Sequence, residues 1–359
     1  MASATPAAPT NKAASSLAWI AYTDSDFGYV VAADFSDGLG HIGAAANGPW
    51  TLVWGPAFND GIVSYAARGQ DGTLAVAFRG TNPAFVTGVW TNFVADANTS
   101  LVTWQFPQSL KAKITAGTNA ALALAIASTD PNSGQTLLQY LCESLTANPT
   151  HVLVTGHSLG GALANVAALW LYDQLPRYNV TATIYPMTFA APTISDQTFQ
   201  TAFNTAFPGY SPMVNTNDVV PMAWNNITGI QKSFTGPTNA GQTYPTLLDY
   251  DWALYYVLET LWLAQGDYYP LGAADTFTVD PVPVNAQSYP SWPEEVVLMH
   301  SMQDVYYYNV WGVSAPPLNH ATTLIAAGMM PQASDETTLV MLPTRRGGAR
   351  PPSPGHAPA

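Results

Sequence analysis

A serine stands among small residues in the segment GHSLGG, residues 156–161. The segment matches the pattern G-x-S-x-G, follows the apolar run 151–155 and precedes an Ala- and Leu-rich run that is typical of a helix. A sharp turn from strand to helix would hold Ser158 in a strained conformation, and its small neighbours would relieve the crowding. The helix N-terminus would favour developing negative charge. The pattern therefore indicates a nucleophilic serine, with a capped Gly-rich turn as the alternative.

Five other segments resemble, in chain order, the motifs of one protein family. They are FRGT at residues 78–81, TNFVAD at 91–96, FAAP at 189–192 ahead of Phe199, NDVVP at 217–221, and His300 followed by Tyr306. Together with GHSLGG they resemble the class 3 lipases of the α/β-hydrolase fold, over residues 60–310. The resemblance implies a mostly parallel central sheet flanked by helices, a lid segment and a serine ester hydrolase. Two departures are KITAGT at residues 113–118, where the family has V-H-x-G-F, and a longer stretch between Asp218 and His300.

The chain order expected in this fold is serine, acid, histidine, which leaves three candidates for the general base. They are His300, His320 and His356. His356 lies in a Pro/Gly/Arg-rich segment, and His320 begins an apolar run where it would cap or pack. His300 ends the apolar run 295–299, which predicts a strand whose carboxyl end would carry the imidazole to the serine. We expect His300 to be the base, with an ordinary core histidine as the alternative, and His157 to point away along the turn.

Many acidic residues could hold the base in place. They are Asp173, Asp196, Asp218, Asp249, Asp251, Asp267, Asp275, Asp280 and the glutamates. Asp173 is expected on the exposed side of the helix after the serine, and Asp196 is placed to cap another helix. Asp218 follows the predicted strand 211–214, in a loop that ends at Pro221, where a carboxylate would reach Nδ1 of an imidazole at a neighbouring strand end. We expect Asp218 to be the acid, with an Asx-turn role as the alternative.

Two backbone N–H groups are the expected donors of an oxyanion hole. They belong to Leu159, the residue after the nucleophile, and to Thr81 at the end of FRGT. The family resemblance further implies that the Thr81 hydroxyl contributes and that Asp96 orients it. A helix cap or a loop carboxylate is the alternative for Asp96.

The segment after FRGT is expected to form a lid. Residues 82–94 carry few charges and place Phe85, Val89 and Trp90 at roughly helical spacing. The lid of the resembling lipases lies here, and an apolar lid suits a water-insoluble substrate, with an ordinary core helix as the alternative. The aromatic run 247–264 predicts a further cap or a packed helix.

Strand-like and helix-like runs alternate along the chain. The strand-like runs are 61–67, 73–78, 151–155, 181–189 and 211–214, with a weaker one at 295–299. The helix-like runs are 108–128, 135–147, 162–175, 197–206 and 247–264. This alternation indicates an α/β protein with a buried, mostly parallel sheet and a site at the carboxyl ends of its strands. We expect one domain, 17–343, between a flexible tail, 1–16, and a Pro/Gly/Arg-rich tail, 344–359.

The composition excludes several classes of protein and partner. Of 359 residues, 48% are hydrophobic and only 9% charged, which allows a large core and excludes a coiled coil. The net charge of −13 disfavours nucleic acid and anionic lipid surfaces, so that lipid contact would be apolar. The single cysteine, Cys142, excludes an intramolecular disulfide. We expect no signal peptide and no transmembrane segment, although low lysine and high Trp, Tyr, Asn and Thr lean towards an extracellular location.

The resemblance and the three candidate residues imply hydrolysis of acylglycerols or other fatty-acyl esters at an oil–water interface. Ser158, Asp218 and His300 would carry the reaction, and no metal or cofactor is expected because no metal-ligand, phosphate-loop or dinucleotide pattern is present. A phospholipase A1 and a short-chain or aryl esterase are alternatives. A non-catalytic lipid-binding module is a third, although such relatives often lose one of the three residues. The oligomeric state stays open.

Overall fold

The computed structural model describes residues 7–23, 30–81, 100–148, 150–226, 229–230, 267–279 and 292–318. The chain divides into a compact unit, Met1–His320, and a second unit, Ala321–Ala359, that lies outside the described residues. The aromatic run 247–264, predicted as a helix, also lies outside them. None of the helices within the described ranges combines the length and apolarity that crossing a bilayer requires.

A seven-stranded sheet runs through the compact unit in the order β1-β2-β3-β6-β7-β8-β9. Its strands are β1 (Thr51–Asn59), β2 (Ile62–Arg68), β3 (Leu74–Phe78), β6 (His151–His157), β7 (Thr183–Phe189), β8 (Met213–Asn215) and β9 (Asp275–Phe277). The first three pair antiparallel, and β3 to β9 pair parallel. A separate antiparallel pair joins β4 (Leu101–Thr103) to β5 (Lys113–Thr115). The carboxyl ends of the parallel strands therefore meet at one edge of the sheet, where functional sites of such folds lie.

Helices cover the sheet and confirm the predicted fold class. They are α1 (Asn11–Ile20), α2 (Ala32–Gly40), α3 (Ala116–Ala127), α4 (Leu137–Ala147), α5 (Leu159–Gln174), α6 (Gln197–Ala206), α7 (Trp292–Met299) and α8 (Tyr307–Trp311). Helix α5 is almost wholly buried in its first three turns, and its small residues let it pack closely against β6 and β7. Wholly buried strands such as β3 and β6 are typical of sheets covered on both faces.

The N-terminal residues are ordered further than the sequence predicts. Residues 11–16, expected to belong to a flexible tail, form the first turns of α1, where Ala13 and Ala14 are buried. Thr10 caps this helix by accepting a hydrogen bond from the N–H of Ala13 at 3.2 Å. Alanine is the strongest helix former, and its small side chain allows close packing of α1 against β6. The composition that indicated a loose tail is thus that of a tightly packed helix.

Two other predictions of secondary structure were wrong. Residues 108–128 were expected to be one helix but contain a short 3₁₀ turn, strand β5 and helix α3. Residues 295–299 were expected to be a weak strand but form the end of helix α7. A short apolar run carries no period that separates a buried strand from a buried helix. Strand β1 was not predicted at all.

Candidate active site

Ser158 occupies the turn between β6 and α5, and its backbone is strained. Its φ of 60° and ψ of −129° lie in a region that L-residues rarely adopt, at a cost of about 1–3 kcal/mol. Its N–H donates to the carbonyl of Phe189 at 3.0 Å, and its carbonyl accepts from the N–H of Ala162 at 3.0 Å. Strand β7 and the first turn of α5 thus hold the serine in the type of turn that presents a nucleophile.

Glycines allow this turn to approach the neighbouring strands closely. A Cβ built at Gly160 would overlap the carbonyl oxygen of Phe78 at the end of β3, and one at Gly156 would overlap the carbonyl of Gly160. A Cβ at Gly161 would lie only 3.0 Å from the Cβ of Ala191. The glycines of the G-x-S-x-G-G pattern therefore serve close packing of the turn.

Asp218 and His300 form a hydrogen-bonded pair. Nδ1 of His300 lies 2.7 Å from Oδ2 of Asp218, although 82 residues separate them in sequence. Asp218 is fully buried, and its Oδ1 accepts from the N–H of Val220 at 2.9 Å. Nε2 of His300 is buried and has no hydrogen-bond partner among the described residues, Ser158 included. The pair therefore presents an imidazole whose second nitrogen is available for proton transfer.

Tyr306 completes the surroundings of the buried carboxylate. Its hydroxyl donates to Oδ2 of Asp218 at 2.7 Å and accepts from the backbone N–H of Asn215 at 3.0 Å. The Nδ2 group of Asn215 in turn donates to the carbonyl of Met299 at 3.1 Å, next to His300. These bonds fix β8 and the end of α7 relative to each other, which positions both members of the pair. The sequence offered Tyr306 only as part of the family resemblance and gave it no role.

His300 follows a helix rather than the strand that the sequence predicts. Its N–H donates to the carbonyl of Val296 at 3.0 Å, so it lies directly at the end of α7. The next segment, Met302–Tyr306, forms a π-helical turn before α8. This turn brings Tyr306 back under the carboxylate of Asp218.

A second imidazole packs against His300. The ring of His157 lies 4.5 Å from that of His300 between centroids, with a tilt of 38°, whereas we expected it to point away. Its Nδ1 is 2.7 Å from the hydroxyl oxygen of Tyr22. Burial, and then the charge of the neighbouring His300, lower the pKa of His157 well below its usual value. No local pattern in the sequence indicated this contact, because Tyr22 and His157 are 135 residues apart.

The segments expected to form the oxyanion hole flank the serine. Leu159 is the first residue of α5, where a backbone N–H lacks an intrahelical acceptor. A Cβ built at Gly80 would lie 3.1 Å from the Cβ of Ser158, so the turn that carries Thr81 borders the nucleophile. Thr81 itself is half-buried.

Four of the predicted site residues lie outside the described residues. They are Asp96, the expected support of the oxyanion hole, and the lid candidates Phe85, Val89 and Trp90.

Comparisons with known proteins agree with this geometry. Residues 75–227 match the family model for Lipase (class 3). The lipases of Rhizopus niveus and Rhizopus oryzae are each 38% identical to this chain over 80 residues, or 22% of this chain and 20% of the Rhizopus protein. The chain thus matches about a fifth of the length of these relatives. Among solved structures, the M37 lipase has a TM-score of 0.69 at 21% identity, covering 90% of this chain and 100% of the other. This likeness shows the α/β-hydrolase fold.

Proposed function

Because residues 75–227 belong to the class 3 lipase family, we propose that this protein is a serine carboxylester hydrolase that cleaves acylglycerols or other fatty-acyl esters. The observation that carries the proposal is the buried hydrogen bond between Asp218 and His300, formed near the strained turn of Ser158. A hydroxyl on such a turn, an imidazole with one free nitrogen and a carboxylate on its other nitrogen are the parts that acyl transfer requires.

In the proposed reaction, Nε2 of His300 takes the proton of Ser158 as its Oγ attacks the ester carbonyl. The alcohol leaves with that proton, and the acyl group stays on Ser158. Water then attacks the acyl-enzyme, gives its proton to His300, and releases the acid while the serine regains its proton. Asp218 holds Nδ1 of His300 protonated throughout and stabilises the imidazolium.

The oxyanion of each tetrahedral intermediate would be bound by the N–H groups of Leu159 and Thr81. The position of Leu159 at a helix start and the closeness of Gly80 to Ser158 support this assignment. A donor of this kind usually contributes about 3–4 kcal/mol to the transition state. We further propose that the Thr81 hydroxyl contributes and that Asp96 orients it.

The proposed substrate is a lipid at an oil–water interface, reached through an apolar lid that includes Phe85, Val89 and Trp90. The support is compositional, since few charges occur in residues 82–94 and the net charge is −13. Contact with lipid would therefore depend on apolar rather than electrostatic attraction.

The test is hydrolysis of p-nitrophenyl esters with acyl chains from two to sixteen carbons. We expect turnover of long chains that Ser158→Ala abolishes, and that the exposed control Ser211→Ala leaves unchanged. Turnover confined to the shortest chains would retain the serine mechanism but contradict a lipase. Activity that persists in Ser158→Ala, or its absence in folded wild-type protein, would contradict the mechanism and favour the binding module.

A further inference from the structure

A second pair of hydrogen-bonded side chains lies beside the proposed catalytic residues. The hydroxyl of Tyr22 is 2.7 Å from Nδ1 of His157, and both side chains are buried. Neither takes part in the proposed reaction. The His157 ring also lies edge-on to the rings of Tyr22 and Tyr306, with centroids 5.9 and 5.5 Å away, while its remaining neighbour is His300. His157 is therefore enclosed between aromatic rings, one of them the proposed base.

Tyr22 is delivered to this place by the end of α1. The helix is fastened to the sheet by two buried hydrogen bonds, from the hydroxyl of Tyr65 to the carbonyl of Leu17 at 2.7 Å and from Thr155 to the carbonyl of Ala14 at 3.2 Å. The Tyr22 hydroxyl fills the space beside Gly80, where a Cβ would overlap it. Its backbone neighbours thus allow the phenol little freedom to move away from His157.

The charge state of the pair follows from its burial. Burial raises the pKa of the Tyr22 hydroxyl, which stays protonated, and lowers the pKa of His157, which stays neutral. Titratable or charged neighbours among the described residues are Arg79 beside Tyr22, and His300, Tyr306 and Asp218 beside or beyond His157. We assign the shared proton to Tyr22, which leaves Nδ1 of His157 as the acceptor. A neutral ring does not repel the imidazolium that His300 becomes during the reaction.

We propose that Tyr22 and His157 are positioning residues for His300: the Tyr22 hydroxyl fixes the His157 ring through Nδ1, and that ring is the surface against which the His300 imidazole keeps the orientation needed to reach Ser158. This inference rests on the proposed function. It requires that the pair acts on the reacting geometry and not only on folding. Loss of the Tyr22 hydroxyl should then lower kcat while KM for a soluble short-chain ester stays nearly constant, because substrate does not touch the pair.

The test compares Tyr22→Phe with Tyr65→Phe, a matched control that removes another buried hydroxyl bonded to the same N-terminal segment. We expect Tyr22→Phe to lower kcat between about tenfold and about a hundredfold, the range that a small misplacement of a reacting group produces. KM should stay within about twofold. Tyr65→Phe should lose stability in urea but keep its kcat. Equal kcat in the two variants would contradict the inference, and Ser158→Ala run in parallel shows whether the proposed function itself has failed.

A double-mutant cycle with His157→Asn tests whether Tyr22 acts through His157. The amide oxygen of asparagine can accept the Tyr22 bond but offers no ring to His300. We expect His157→Asn to lower kcat at least as much as Tyr22→Phe, and the double variant to be no slower than His157→Asn alone. Fully additive losses would contradict the inference, since Tyr22 would then act through Gly80. If His157→Asn does not fold, the comparison of Tyr22→Phe with Tyr65→Phe decides alone.

Discussion

Replacing Tyr306 by phenylalanine isolates one hydroxyl in the buried network around Asp218. The hydroxyl donates to Oδ2 of the carboxylate at 2.7 Å and accepts from the N–H of Asn215 at 3.0 Å. The ring contacts with Phe277 and His157 survive the substitution, because phenylalanine keeps the ring. The change therefore removes two hydrogen bonds and little packing.

The expected loss of stability follows from the two groups left behind. A hydrogen bond to a charged group contributes about 1.5–3 kcal/mol, and a buried N–H left without an acceptor costs about 1–3 kcal/mol. Since Asp218 is fully buried and Tyr306 lies against it without exposure, solvent cannot replace either bond. The free energy of unfolding should fall by at least about 2.5 kcal/mol. The N–H of Val220 still holds Oδ1 of Asp218, so we expect kcat to fall only about tenfold, equivalent to about 1.4 kcal/mol.

The assay is urea unfolding followed by tryptophan fluorescence, together with kcat for a soluble p-nitrophenyl ester. Tyr308→Phe serves as the control, because Tyr308 is 51% exposed and should change stability by no more than about 0.5 kcal/mol. A loss below about 1 kcal/mol in Tyr306→Phe would refute the claim that this hydroxyl stabilises a buried carboxylate. An unchanged kcat beside a large loss of stability would limit Tyr306 to a structural role.

Two further predictions concern the serine turn and its neighbour. Gly160→Ala should destabilise the protein by more than about 2 kcal/mol in urea unfolding, because the new Cβ would overlap the carbonyl of Phe78, whereas Gly209→Ala has open space; equal effects would contradict the close packing. The lowered pKa of His157 means that the unfolded chain takes up a proton below its ordinary pKa of about 6.5 that the folded protein refuses. As pH falls below that value, wild type should lose about 1.4 kcal/mol of unfolding free energy per pH unit more than His157→Asn, and equal slopes would rule out a buried neutral imidazole.

Much of the fold could be predicted because its elements are locally patterned. The amphipathic run 197–206 coincides with α6, and the apolar runs at 73–78 and 151–155 coincide with most of β3 and β6. The helix α7 could not be separated from a strand, because its apolar run is too short to carry a period. Helix α1 was missed because small residues were taken as a sign of a loose segment, whereas here they serve close contact.

The candidate site divides along the same line. Ser158, Asp218 and His300 are marked by motifs and chain order, and the structure brings Asp218 and His300 within hydrogen-bond distance. Their roles in catalysis stay predictions. The contact of His157 with His300 depends on how distant segments pack, and Tyr22 comes from a helix that the sequence did not predict. Such partners carry no local spacing by which they could be found.

The proposed active site draws on segments from widely separated parts of the chain. The bonds that shape it span 82 residues between Asp218 and His300 and 135 between Tyr22 and His157. Trp19, near Tyr22, even donates to the carbonyl of Pro316 across 297 residues. During synthesis the serine turn would leave the ribosome well before its base, since chain growth is slow compared with local folding. Hydrolytic activity should thus be the last property that a growing chain acquires, and a nascent chain that has not reached His300 should spare the lipids around it.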